Sequence, residues 1–530
     1  MRADDFMDMV PPTAGDASPS EASTPSGRRA WLQQALALAA GATAAPLLPR
    51  EAAAQSKGTR YGGLFSQLGQ QATWRSPEIR LLRRISLGIT AESVARVKQR
   101  GYSAYLEEQL AWEAIPDSVC AQHLARGFAD YLAMTPRDAI AMQRADNIQP
   151  ITNRYQRYVA EQAILSERQL LERMVEFWTD HFHVNLWAFN GFKPFHDRVV
   201  IRPLALTTVG ALVRATMRSP AMLYYLDQVW NTRWGINENY ARELMELHTV
   251  GVTGGYTQRD VYELARVLTG WTVDQDGQFQ YRADNHDFGA KTVFGMEFPA
   301  STPGRGTQGM GEAIAFGEHL IQHPKTREYI STKLLKWFIT PEPTAAQVQA
   351  VVDAYGSEGD IKAMLRVVLS PANVQRAPAK LKRPFHLVVS AVRATGAQVR
   401  SRVNYQTDND GIGWPLGSLG HQVGAWATPD GYPDRAEFWA GGIVDRWNAT
   451  QQFAQSGSTG NGSVITNFAG FVADGTIEGV VSEINRRLFG GEISEALATE
   501  LRNVLRSGVT TARLQTAVRL ALMAPEFQYY

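Results

Sequence analysis

The sequence predicts a mainly α protein: a large multi-helix globular domain with long irregular loops and at most one or two small β-hairpins. Three observations predict it. Ser76-Pro77, Thr135-Pro136 and Ser219-Pro220 each set a capping hydroxyl before a proline at the first helical position. Thr257-Gln258-Arg259-Asp260 is patterned as a capping box, and Val261, Leu264, Ala265 and Leu268 then recur at helical spacing until Gly270. Alternating strand patterns are confined to residues 278–281 and 292–298.

A chain of 530 residues, 44% of them apolar, can bury one large core or two to three smaller ones. Its 53 basic and 52 acidic residues leave a net charge of +1, which offers no long-range attraction for nucleic acid or an anionic membrane. A single cysteine, Cys120, leaves neither an internal disulfide nor a cysteine metal site.

In chain order, residues 1–26 have the Ser/Thr/Pro/Asp/Ala composition of a disordered extension. Gly27-Arg28-Arg29-Ala30-Trp31-Leu32, a weakly hydrophobic run over 35–48 and Ala52-Ala53-Ala54 then predict a twin-arginine signal peptide over 27–54, with a mature start near Gln55. Gly41 and Pro46 interrupt a run already short for a bilayer, so no transmembrane anchor is expected in the mature chain. The expected location is periplasmic or secreted, with the twin-arginine export machinery as a partner. That route carries folded cargo, so a cofactor can be loaded before export. A linker over 55–75 leads to a main helical domain over 76–454. A flexible linker or loop over 455–463 and a C-terminal helical region over 464–530, packing on the main domain, complete the chain. The Gly/Asp-rich stretch 271–312 and the irregular stretch 403–434 are the long loops, and loops of that length are functional or disordered.

Three segments concentrate polar chemistry. In Glu176-Phe177-Trp178-Thr179-Asp180-His181-Phe182-His183, His181 shares a helical stripe with Leu170, Met174 and Phe177, while Glu176, Asp180 and His183 line a neighbouring face. Ligands three or four apart on one face are what metal sites in helical bundles use; a buried, hydrogen-bonded His181 beside a solvated carboxylate face is the structural alternative. In residues 237–248, Tyr240, Leu244 and Leu247 form the apolar stripe and Asn239, Arg242, Glu243 and Glu246 crowd the other side. If exposed, that side is an ordinary surface pair; if buried, its charges need a metal or other partners. Asn285-His286-Asp287-Phe288-Gly289-Ala290-Lys291 is a turn, or a ligand with its orienting neighbour and a lysine for an anionic group. There is no His-Glu-x-x-His, nucleophile elbow, Walker loop or dinucleotide fingerprint. The His319/His323 pair, followed by Pro324, reads as a helix end.

With these segments in view, the chain resembles the domain-of-unknown-function family eighteen hundred (DUF1800) of exported bacterial proteins. The resemblance rests on Phe177-Trp178 with His181-Phe182, Asn237 to Leu244, Tyr256-Thr257 with Asp260-Val261, Leu268-Thr269-Gly270-Trp271, His286-Asp287 with Lys291, His323-Pro324, Lys382-Arg383-Pro384 and Pro429-Asp430-Gly431. It implies export, a mainly helical fold and frequent genetic neighbourhood with a second exported family similar to alkaline phosphatases and sulfatases. Asp180 stands where the family often has Asn, and His183 lies outside its pattern. The resemblance therefore shifts weight to His181, Glu238, Arg242, Glu243, His286 and Asp287.

Three readings follow. The first is a metal-dependent enzyme with His181, Glu243, Glu246 and His286 as ligands to Fe, Mn, Zn or Cu, Asp287 orienting His286, and Arg242 or Lys291 holding an anionic substrate. The second is a non-enzymatic helical scaffold docking the phosphatase- or sulfatase-like neighbour through Trp414, Trp426 and Tyr432. The third is a metal-free enzyme on extracellular polysaccharide using Glu243, Glu246 and Asp260.

Overall fold

The computed structural model describes residues 74–144, 149–188, 191–302, 308–400, 411–455, 458–459 and 464–530. The expected extension, the signal peptide and most of the linker before residue 76 lie outside the described residues, as does the Trp414 side chain. Residues Gln55–Tyr530 form one compact unit.

The capping signals become helix starts. Ser76 Oγ accepts from Ile79 N at the head of the Pro77–Ile85 helix. Thr257 and Asp260 close a reciprocal capping box on the Gln258–Leu268 helix, and Gly270 at φ +84° turns the chain out of it. Ser219 precedes the Pro220–Tyr225 helix without capping it, because its hydroxyl lies 2.8 Å from Nδ1 of buried His196. His323 is indeed a helix boundary: its Nδ1 accepts from Lys325 N at the start of the Pro324–Phe338 helix.

Both expected hairpins form. Trp271–Val273 pairs antiparallel with Phe279–Tyr281, and Lys291–Val293 with Met296–Phe298. In a third small sheet, Val464–Ile465 pairs with Gln398–Val399 and Ser458–Thr459; it leaves no signal in the sequence, since two-residue strands are too short to show alternation. The 271–312 loop is also shorter than the sequence suggests. A helix begins at Gln308, where Gly309 and Gly311 hide its period.

Two large apolar clusters make the core. One runs from Ile79 to Ala377 and includes Met174, Phe177, Leu244, Leu264 and Leu334. The other joins Trp74, Leu87 and Ala160 to residues after Leu381, so Val388 and Val392 share one core with Val480, Leu501 and Leu522. The Pro384–Thr395 helix is buried over its whole length, as its nearly unbroken apolar sequence demands, and ends at Gly396 in the left-handed region. The Gln169–His181 helix is almost as deeply buried yet carries Glu172 and Arg173 among its buried residues. These need internal partners. Among the described residues, no helix is long and apolar enough to cross a membrane.

Thr257→Ala removes the cap of the Gln258–Leu268 helix and should cost about 1 kcal/mol in denaturant unfolding. Asp260→Ala should cost more, because Asp260 Oδ1 also accepts from Phe294 N at 2.7 Å and so ties the second hairpin to the helix. Equal losses would contradict that second role.

Candidate functional site

The buried Gln169–His181 helix ends against a cleft of about 1190 Å³ whose lining includes Asp180, His181, Lys333, Arg383, Asp430 and Asp434. His181 is 1% exposed, enclosed by Phe177, Trp178, Phe182 and Tyr329. Its Nε2 lies 3.1 Å from the carbonyl oxygen of His248, which only accepts, so Nε2 carries the proton and Nδ1 keeps its lone pair. Lys333 Nζ, 2.9 Å away, donates to Nδ1. Burial, the Lys333 charge and the nearby His248 keep the imidazole neutral, with its pKa well below the ordinary histidine value.

Lys333 is half-buried on the Pro324–Phe338 helix, beside the apolar stripe of Ile330, Leu334 and Trp337. Burial pushes its pKa down to about 8, against the pull of Asp180, Asp430 and Asp434 and with the help of Lys336. A lysine near 8 exchanges protons with a ligand at close to neutral pH, whereas an ordinary surface lysine stays charged. No sequence signal marks it, because Ser331-Thr332-Lys333-Leu334-Leu335-Lys336 has the spacing of any amphipathic helix border.

The wall beside this pair is an ion-pair network. Arg383, 4% exposed, donates to Asp180 Oδ2 at 2.6 Å and to Glu176 Oε1. Arg173 donates to Glu176 Oε2 at 2.8 Å and to the Tyr530 hydroxyl at 3.2 Å. Both guanidiniums lie over the Trp337 ring, at 4.6 Å for Arg383 and 4.7 Å for Arg173. Burial opposes the Arg383 charge, but Asp180 and Glu176 outweigh it and hold the guanidinium protonated. Burial pushes the Asp180 carboxyl up, while Arg383 pulls it back. The 430–434 loop closes on this wall at Gly431, where φ is +72° and a Cβ would collide with the Asp180 carbonyl oxygen.

The second segment touches the site through its backbone. The Asn239–Glu246 helix leads into His248, whose carbonyl holds His181 and whose N–H donates to Glu243 O. Glu243 is 9% exposed; Glu246 accepts from the Tyr256 hydroxyl at 3.2 Å, and Arg242 pairs with Glu238 at 2.9 Å. Arg242 thus makes a partly exposed helix-surface pair with Glu238 and also donates to Gln258 at 2.9 Å. Asp260, expected as a carboxylate catalyst, has both oxygens engaged by Thr257 and Phe294 N.

The third segment builds its own polar cluster. His286 Nδ1 lies 2.9 Å from Thr269 O, and its Nε2 is 3.5 Å from Glu312 Oε2, which also takes Lys291 Nζ at 2.8 Å. Burial pushes the Glu312 carboxyl up, but His286 and Lys291 outweigh it and hold it below the usual range. Asp287 does not orient His286. It accepts instead from Arg266 at 2.7 Å and from Gly289 N at 2.8 Å. Lys291, expected to hold an anionic substrate, is 3% exposed and committed to Glu312.

The metal centre expected at His181, Glu243, Glu246 and His286 does not fit these side chains. Both ring nitrogens of His181 are engaged, and among the described residues no three His, Cys, Asp or Glu side chains are grouped to hold a metal ion. The expected docking surface also shrinks. Tyr432 is 8% exposed with its hydroxyl on Gln422 O, and half-buried Trp426 donates to Asp430 Oδ1.

A family described as "Protein of unknown function (DUF1800)" matches residues 80–529. No curated protein and no solved structure matches the chain.

Arg383→Met should destabilise the protein by about 3–5 kcal/mol, since it strands the largely buried Asp180 carboxylate without its cation and leaves Glu176 with Arg173 alone. Without Arg383, only the long hydrogen bond from Tyr432 N is left to oppose the burial that raises the Asp180 carboxyl. A group whose folded pKa is raised stabilises below its unfolded pKa and loses that contribution as pH rises through the folded value. The deficit should therefore be largest at neutral pH and shrink as pH falls toward about 4. Denaturant titrations across this range that show a constant deficit would contradict the network.

Proposed function

Because the chain belongs to this family of proteins of unknown function, which brings no assigned activity with it, we propose from the geometry that it is an exported acid–base enzyme acting in the cleft at the end of the Gln169–His181 helix. The observation that carries this reading is Lys333 Nζ, half-buried in a cleft of about 1190 Å³ and 2.9 Å from the His181 Nδ1, a ring nitrogen that can only accept. Lys333 is the proton-transfer group: it donates as an ammonium below about pH 8 and accepts as an amine above it. His181 is a positioning residue. Its neutral ring, pinned by the His248 carbonyl, fixes the direction of the lysine without competing for the proton. Asp180, and after it Asp430, which is exposed at the cleft and held by Trp426 and Thr428, pull the lysine back toward the charged form. Export rests on Arg28-Arg29 with Ala52-Ala53-Ala54 and places the enzyme in the periplasm or outside the cell.

The test is the titration of Lys333 itself, followed by NMR of isotopically methylated lysines in the intact protein. Lys333 should titrate near 8. Asp430→Asn and His181→Phe should each lower that value, the first by removing an anion and the second by removing the acceptor of the ammonium. At pH 8 an amine-reactive probe should label Lys333 on the order of tenfold faster than exposed Lys325. A Lys333 that titrates like an ordinary lysine would sink the reading.

A further inference from the structure

The same cleft is lined by seven lysine and arginine side chains, although the whole chain is balanced to a single charge. Their partners divide them. Arg383 is answered by Asp180 and Glu176, and Lys380 by Asp434 at 2.8 Å. Arg80 donates to the carbonyls of Trp74, Gln375 and Ala377, and Arg84 to those of Phe338 and Pro378. Carbonyls satisfy donors without cancelling charge. Burial accordingly pushes the Arg84 guanidinium down to about 10, with Arg80 and Arg173 repelling it. Lys333 faces a neutral imidazole. Lys336 and Arg435 are exposed at the cleft.

The acidic side of the lining is different in kind. Asp430, Glu342 and Glu437 are exposed carboxylates that make no direct ion pair with these cations, although Asp430 pulls on Lys333 from a distance, and they present acceptors rather than donors. A ligand fitting both sets carries negative groups for the surplus cations and hydroxyl donors for the carboxylates. A polyphosphate has the first and lacks the second. A nucleic acid needs open aromatic faces for its bases. The aromatics here are closed: Phe177, Trp337, Tyr432 and Trp439 are 3–8% exposed, and two guanidiniums cover Trp337. The volume exceeds the roughly 300–1,000 Å³ of pockets for single small molecules, so more than one monomer fits.

We infer that the cleft binds a segment of an acidic polysaccharide, its carboxylate or sulfate groups against Arg80, Lys336 and Arg435, with buried Arg84 adding charge from behind them, and its hydroxyls on Asp430 and Glu437. This deepens the Lys333 reading, on which it rests for the place where chemistry occurs. The surplus cations set the polymer beside the proton-transfer group, and the mixed charge of the lining selects against anionic chains that lack hydroxyl donors.

Binding to the full-length protein can be followed by tryptophan fluorescence with four polymers: polygalacturonate, dextran sulfate, polyphosphate and neutral dextran. Polygalacturonate or dextran sulfate should bind, the pair showing whether carboxylate or sulfate is preferred, and polyphosphate and dextran should bind at least about tenfold more weakly. Lys336→Glu combined with Arg435→Glu, both exposed and harmless to the core, should weaken polysaccharide binding by about tenfold. Lys333→Met should retain it within about threefold while losing the fast-labelling amine. Equal binding of dextran, tighter binding of polyphosphate, or indifference to the charge reversals would overturn the inference. If no polysaccharide binds but Lys333 titrates near 8, the ligand class fails and the acid–base site stands. Polysaccharide binding by a protein whose Lys333 titrates like an ordinary lysine would uphold the ligand class and remove the acid–base site.

Discussion

Arg383 is the constraint on which the rest depends. It sits immediately before the Pro384–Thr395 helix at the centre of the C-terminal core, yet its charge is answered by Glu176 and Asp180 on a helix of the other core. A buried guanidinium cannot be left without an anion, and buried carboxylates cannot be left without a cation. The two apolar clusters are therefore held in one register by charge, while their apolar contacts supply the bulk of the free energy. Trp337, under both Arg173 and Arg383, brings the Pro324–Phe338 helix into the same arrangement and with it Lys333.

That network also shapes the space around it. Asp180, Arg383 and Tyr432 line the large cleft and also a separate chamber of about 60 Å³ behind it, which is bordered by Glu172, Arg202 and Asp197. The chamber side is closed by paired charges, with Arg202 bidentate to Glu172 and Lys193 on Asp197 at 2.7 Å. The cleft side keeps cations without carboxylate partners. Among the described residues, Glu172, Arg202 and Asp197 at the small pocket are thus paired, whereas Arg80, Lys336 and Arg435 at the cleft make no ion pair.

The polar residues of the three sequence segments divide along the same line. His286, Lys291 and Glu312 form a closed cluster beneath Gly309, where a Cβ would collide with the His286 ring and the Tyr281 hydroxyl. His181 belongs to the other class, because its partner Lys333 reaches the cleft. A histidine and a lysine from helices far apart in the chain become a unit only through the packing of Phe177 and Trp337 between them.

The sequence by itself determined the helical class, the caps at Ser76 and Thr257, both hairpins and the family, because these depend on neighbours within a few residues or on ordered motifs. It also marked His181, Arg383 and Asp430 as members of those motifs. It did not determine which polar residues meet. Lys333 and Glu312 sit at unremarkable helical positions, the sequence shows Asp260 as a capping residue but not its second bond to Phe294 N, and the partners of Arg242 emerge as Glu238 and Gln258. Only the tertiary structure decided this. Burial and partner geometry set whether a side chain keeps unspent charge, and both arise from contacts between residues as distant as Asp180 and Arg383.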